Sequence, residues 1–128
     1  MILKEKIKQY RNCLGIYCLL KDDEIVYIGQ SSNIYVRLLE HLVDEIKEFD
    51  NFICIENESK TLIEIEEVLL INHFKPIYNK LMANNSFTFL NTLPSICFKD
   101  VSKERCLNDK DFLIGLIELK IKEASNEI

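Results

Sequence analysis

Two short apolar tripeptides, Gly15-Ile16-Tyr17 and Tyr27-Ile28-Gly29, each set a tyrosine close to a glycine. Arg37 and His41 follow at helical spacing, Glu67 lies in a later apolar-periodic stretch, and Asn79 closes Pro76-Ile77-Tyr78-Asn79. A phenol and an imidazole can exchange a proton, a guanidinium presents a planar fork to phosphate oxygens, and a carboxylate can hold a divalent cation. Those abilities match the needs of phosphodiester hydrolysis: an activated water, charge compensation on the phosphoryl oxygens and stabilisation of the leaving oxygen. His73, near a helix end, is better suited to that helix's own last carbonyls.

For these groups to meet, the two tripeptides must pair. Residues 14–29 alternate as a β-hairpin should, with Lys21-Asp22-Asp23 as the expected three-residue turn. That turn pairs Tyr17 with Tyr27, Gly15 with Gly29 and Ile16 with Ile28, leaving both phenols on one face and Ile16, Cys18, Val26 and Ile28 on the other. A two-residue loop would send the phenols to opposite faces. Ser31-Ser32-Asn33 offers capping oxygens to a helix expected to reach about Lys47, with Ile34, Leu38, Leu42 and Ile46 as its apolar stripe. Arg37 and His41 project from one edge of that stripe. Residues 51–55 read as a third strand, with Phe52 and Cys54 opposite in facing to Ile53 and Ile55. A helix over 60–74, halted before Pro76, would cover the sheet with Leu62, Ile65, Val68, Leu69 and Ile71. Residues 84–98 mix loop and β-like signals, and 109–124 read as an amphipathic helix with Phe112, Leu113, Leu116, Ile117 and Leu119 or Ile121 on its apolar side. The order implies an α+β fold: a small, mainly antiparallel three-stranded sheet flanked by helices, with a C-terminal extension.

A chain of 128 residues, 48% apolar and 29% charged, fits one domain over 1–128 with a single core. No run approaches the ~20 apolar residues of a membrane span, and the N-terminus lacks the apolar core of a signal peptide, so a cytoplasmic protein is expected. The five cysteines are odd in number and form no CxxC pair, which favours reduced, buried thiols over disulfides or zinc. The net charge of −5 opposes broad phosphate neutralisation, but its distribution is uneven. Residues 1–20 are net +3, whereas 44–67 carry nine acids against Lys47 and Lys60. Contact with nucleic acid is expected to be short, or assisted by a partner.

As an ordered set, the motifs over residues 13–80 resemble the GIY-YIG nuclease domain, leaving 81–128 as an extension packed on the core or mediating assembly. The resemblance implies a metal-dependent endonuclease that hydrolyses DNA phosphodiesters by water attack, leaving 5′-phosphate and 3′-hydroxyl ends. It carries the role of base to Tyr17. A free tyrosine titrates near ~10, so ionising it at pH 7 costs roughly 4 kcal/mol, much of which a nearby cation is expected to supply. Tyr27 would position the water or phosphate, Arg37 would meet the phosphoryl charge, and His41 would accept or relay a proton. Glu67, twelve residues before Asn79, maps onto the metal carboxylate for Mg²⁺ or Mn²⁺; its neighbour Glu66 points about 100° away round the helix. Gly29, Gln30, Ser31 and Asn79 are the expected substrate contacts. Many relatives carry lysine after Tyr-Ile-Gly where this chain has Gln30, so Ser31 and Ser32 are expected to donate hydrogen bonds instead. The expected partner is nucleic acid, DNA above all, with the C-terminal helix a candidate homodimer surface and no membrane. The alternative is a non-catalytic nucleic-acid-binding or assembly module that retains the fold.

Overall fold

Asp22 and Asp23 decide the hairpin. Both sit at positive φ, 52° and 65°, as the central residues of a two-residue type I′ turn do, and Lys21 pairs directly with Glu24. The loop is therefore shorter than the spacing suggested. Alone, it would separate the two phenols; a β-bulge prevents that. Leu20 pairs with Ile25 but Leu19 pairs with Tyr27, which leaves Val26 as the extra residue. Beyond the bulge Tyr17 faces Gly29 rather than Tyr27, two residues out of the expected register, and side-chain parity is restored. Val26 moves with this change and packs on the tyrosine side instead of beside Ile16 and Cys18.

The computed structural model describes residues 3–44, 46–79 and 103–126. Its elements are α1 (Leu3–Lys8), β1 (Gly15–Lys21), β2 (Glu24–Ser31), α2 (Ile34–Asp44), β3 (Asn51–Glu56), α3 (Lys60–Phe74) and α4 (Lys103–Asn126). The strands form one antiparallel sheet in the order β2-β1-β3. Ile16, Cys18, Leu20, Ile28, Ile53 and Ile55 face Ile63 and Leu70 of α3 and Leu113, Ile117 and Ala124 of α4. Tyr17, Leu19, Tyr27, Phe52 and Cys54 face Ile7 of α1 and Ile34 and Leu38 of α2. Each fully buried Leu or Ile contributes about 1.5–3 kcal/mol, so the alternation of β1 stabilises both helical layers at once.

The helix ends explain where the site can lie. At the start of α2 the Asn33 Oδ1 accepts from the Val36 N–H at 3.3 Å, and the Cys13 carbonyl accepts from the Ile34 N–H at 3.0 Å. The helix stops at Asp44, whose Oδ1 takes the Ile46 N–H at 3.1 Å; this local bond competes with the helical pattern. Ile46 thus leaves the expected stripe and is exposed. Ser59 caps α3, which closes through left-handed Lys75, its N–H bound to the Ile71 carbonyl at 2.8 Å. Ile63 and Leu70, seven residues apart on α3, are buried, whereas Leu62 lies partly exposed. On α4, Phe112 and Leu119 are exposed while Leu113, Ile117 and Ala124 are buried. Residues 84–98 lie outside the described residues.

At Gly15 the neighbouring strand's backbone leaves no room for a side chain. At φ 145°, a Cβ there would stand 2.1 Å from the Ile55 carbonyl oxygen and 2.9 Å from the Glu56 Cα, both backbone atoms with little freedom to yield. Gly15→Ala is expected to destabilise the chain by about 3 kcal/mol, from overpacking and backbone strain together. Urea unfolding checks this, and a midpoint equal to that of the parent would contradict it.

Candidate active site

Tyr17 lies where the side chain of residue 29 would otherwise be. A Cβ on Gly29 would fall 2.5 Å from the Tyr17 Oη, 2.6 Å from its Cζ and 2.9 Å from the Tyr27 ring. The second motif glycine is therefore a seat for the first motif phenol. Only 1% of Tyr17 is exposed, so its hydroxyl needs a partner inside the protein. That partner is the Nε2 of buried His41, at 2.8 Å. Tyr27 completes an aromatic triangle, its ring 6.1 Å from that of Tyr17 and 5.3 Å from that of His41. The helix brings His41 to this position because Ile34 and Leu38, on its buried stripe, dock α2 on the same sheet face.

Burial sets the proton balance of this pair. It pushes the Tyr17 phenol well above its ordinary range; Tyr27 adds to the shift, and the opposing pull of Arg37 does not overcome it. Arg37 by itself therefore does not bring Tyr17 within reach of ionisation at neutral pH. Burial also lowers His41, to about 4, helped by the positive charges of Arg37 and Lys47 against weaker opposition from Asp44 and Glu40. At neutral pH the pair is thus a protonated phenol beside a neutral imidazole. In the tautomer that carries its hydrogen on Nδ1, the His41 Nε2 is free to accept from Tyr17. Among the described residues the buried Nδ1 atom has no hydrogen-bond partner.

Two cations border the aromatic triangle. Arg37, one helical turn before His41, is partly exposed and paired through Nη1 with the Glu40 Oε2 at 2.7 Å. Lys47 sits beyond the end of α2 with its Nζ 4.9 Å from the Tyr27 ring centroid. Motif spacing did not reveal Lys47. The available signal was its isolation, as one of only two cations in the acid-rich stretch 44–67.

Glu67 approaches from the other side. Gly29 and Gln30 are successive residues of β2, so their side-chain positions face opposite sides of the sheet. The Gln30 Nε2 donates to the Glu67 Oε1 at 3.4 Å. Because β2 is an edge strand, groups from both helical layers can reach one ligand at this margin. Burial raises Glu67 above the usual carboxylate value, with the Gln30 bond opposing and Glu64 adding to the rise. Glu66 points elsewhere and accepts from the Asn57 Nδ2 at 2.8 Å. A half-buried carboxylate steadied by an amide fits Mg²⁺, which keeps several waters and needs few protein ligands. Among the described residues no group of three or more His, Cys, Asp or Glu side chains could hold a metal ion, so the fit rests on Glu67.

The remaining expected contacts serve the frame. Asn79 is buried, its Oδ1 accepting from the Ile28 N–H at 2.8 Å and its Nδ2 donating to the Ile28 carbonyl at 2.9 Å. Ser31 Oγ accepts from the Asn33 N–H at 3.0 Å, just before α2. Tyr78 joins two segments: its N–H reaches the Val26 carbonyl, and its hydroxyl accepts from the Glu48 N–H, both at 3.0 Å.

A phenol seated on a glycine, hydrogen-bonded to a helical histidine and flanked across an edge strand by a carboxylate, defines a class of site, and the sheet and helices around it have the fold of the GIY-YIG nuclease domain. The chain is similar to the GIY-YIG N-terminal endonuclease domain of UvrC from Thermotoga maritima bound to magnesium. The identity is 26% and the TM-score 0.54, covering 60% of this chain and 94% of that one. A point mutant of the same domain, bound to the catalytic divalent cation, gives 25% and 0.54 over 60% of this chain and 93% of that one. The UvrABC system protein C of Mycoplasma capricolum subsp. capricolum is 32% identical over 97 residues, 66% of this chain. The chain spans 16% of that relative's length. No family model matches it.

The depressed His41 makes stability pH-dependent. The unfolded imidazole takes a proton below about pH 6.5, whereas the folded one resists until about 4. Its contribution is therefore full above about pH 6.5 and drains away as the pH falls to about 4. Thermal melts across that window are expected to fall more steeply for the parent than for His41→Gln, the carboxylates being common to both. Parallel curves would contradict the assignment.

Proposed function

We propose that the chain is a metal-dependent endonuclease that hydrolyses phosphodiester bonds of DNA, leaving 5′-phosphate and 3′-hydroxyl ends. The observation that carries this reading is the 2.8 Å bond between the Tyr17 Oη and the His41 Nε2. It gives a buried phenol a base to which its proton can go. The likeness to an endonuclease domain bound to magnesium supports the same reading.

A water beside the phosphate gives a proton to the Tyr17 Oη while Tyr17 passes its own to the His41 Nε2. The water oxygen bonds to phosphorus, the bond to the 3′ oxygen breaks, and that oxygen takes a proton from solvent. Coupled transfer avoids a free phenolate, which burial disfavours. Arrival of a phosphate also offsets the positive charges that help to hold His41 low, so the imidazole becomes a stronger acceptor once substrate is present. Arg37 exchanges Glu40 for phosphoryl oxygens, to which its planar fork is suited. Tyr27 holds the water or phosphate at the rim. Magnesium, held by Glu67 with waters completing its shell, would supply Lewis-acid stabilisation of charge on the phosphate and the leaving oxygen. Gln30 keeps the Glu67 carboxylate oriented, and Asn79 acts as a positioning residue through the β2 backbone. Residues 13–80 carry this chemistry, and α4 supports the sheet from behind. The free thiols Cys13, Cys18 and Cys54 suit the reducing cytoplasm, where we place the enzyme.

Nicking of supercoiled plasmid at low salt tests this reading. The parent is expected to nick with Mg²⁺ and not with EDTA, Glu67→Ala to lose cleavage while folding normally, and Tyr17→Phe to fall by roughly 10²–10⁴-fold. A folded, metal-loaded parent that leaves duplex, branched and single-stranded substrates intact would instead identify a binding or assembly module.

A further inference from the structure

We propose that Lys47 is a substrate-phosphate ligand of this site, its ammonium moving from the Tyr27 ring to a non-bridging oxygen of the nucleic-acid backbone. The proposal rests on the nuclease reading and adds a contact that motif spacing did not reveal.

Four observations lead to it. The Lys47 Nζ stands 4.9 Å from the centroid of the Tyr27 ring, and so at the rim of the catalytic cluster. Among the described residues Lys47 forms no ion pair, even though the stretch 44–67 contains nine acids. Arg37, in contrast, must first release Glu40. An aromatic face holds an ammonium more loosely than a carboxylate would and adds no negative charge beside an incoming phosphate.

The segment carrying Lys47 is also anchored. The hydroxyl of Tyr78 accepts from the Glu48 N–H, while the Tyr78 N–H binds the Val26 carbonyl on the strand that bears Tyr27. Lysine and ring are thereby tied to one frame. Finally, the residue after Tyr27-Ile28-Gly29 is uncharged Gln30, and its amide is committed to Glu67. Gln30 thus brings no positive charge to the site, and on the Tyr27 face the cations are Arg37 and Lys47.

Equilibrium binding of a fluorescein-labelled DNA duplex to the full chain in EDTA, over a series of salt concentrations, tests the proposal without turnover. Lys47→Gln is expected to bind about ten-fold more weakly at low salt, with the slope of log Kobs against log[salt] reduced by about 0.9 in magnitude, the loss of one phosphate contact. Lys47→Arg is expected to retain the parental slope. Lys122→Gln, which removes a charge from the exposed side of α4, serves as the control for net charge and is expected to leave the slope unchanged. A parental slope in a Lys47→Gln variant that melts like the parent would overturn the proposal and leave the nuclease reading standing, as would equal slope losses in Lys47→Gln and Lys122→Gln. A parent that neither binds nor nicks DNA would overturn both.

Discussion

The missing side chain of Gly29 is the constraint on which the site depends. Protein interiors tolerate neither overlap nor empty space, so the Tyr17 phenol can lie flat on β2 only because residue 29 leaves that volume open. Once buried, the phenol needs a hydrogen-bond partner, which fixes His41 and with it the helix that carries it. The start of α2 is set in turn by Asn33 and by the Cys13 carbonyl just ahead of β1. A chain of short-range requirements thus links the tight turn, the bulge, the glycine, the phenol and the helix.

The low dielectric that results acts on both members of the pair in the same sense: it disfavours charge. Tyr17 keeps its proton and His41 does without one, so the core of the site is neutral at rest. The formal charges lie around it, Arg37 and Lys47 at the rim of one face and Glu67 on the other. A neutral interior with charged margins lets the fold bury its reactive groups without an unpaired buried ion, which would be far more costly.

Spacing in the sequence was enough to place Tyr17, Tyr27, Arg37 and His41 together, because helical and strand periodicities are local rules. The register was not readable, since two backbone solutions leave the phenols on a shared face: a three-residue loop, or a two-residue loop with a bulge. The choice rests on the φ angles of Asp22 and Asp23, and two aspartates are a weaker sign of a type I′ turn than Asn-Gly or Asp-Gly. The early end of α2 was hidden because Asp44 fits a helix as readily as it takes a nearby N–H. Lys47 and Gln30 acquired their neighbours only through tertiary contacts, with partners twenty and thirty-seven residues away. Glu66 and Glu67 are adjacent and equally acidic in the sequence; what separates them is tertiary, Asn57 engaging the former and Gln30 the latter.

The Asn79 side chain also acts on the margin of the sheet. An exposed edge strand is a template on which another chain can add by backbone pairing, and β2 is such an edge. Asn79 occupies both the N–H and the carbonyl of Ile28, and Tyr78 occupies the carbonyl of Val26. The next outward-facing backbone pair along the strand belongs to Gln30, beside Glu67. The residues that brace the site therefore also cap the middle of the sheet's margin, so that a molecule with an apolar core resists growing into a fibre from its own exposed edge.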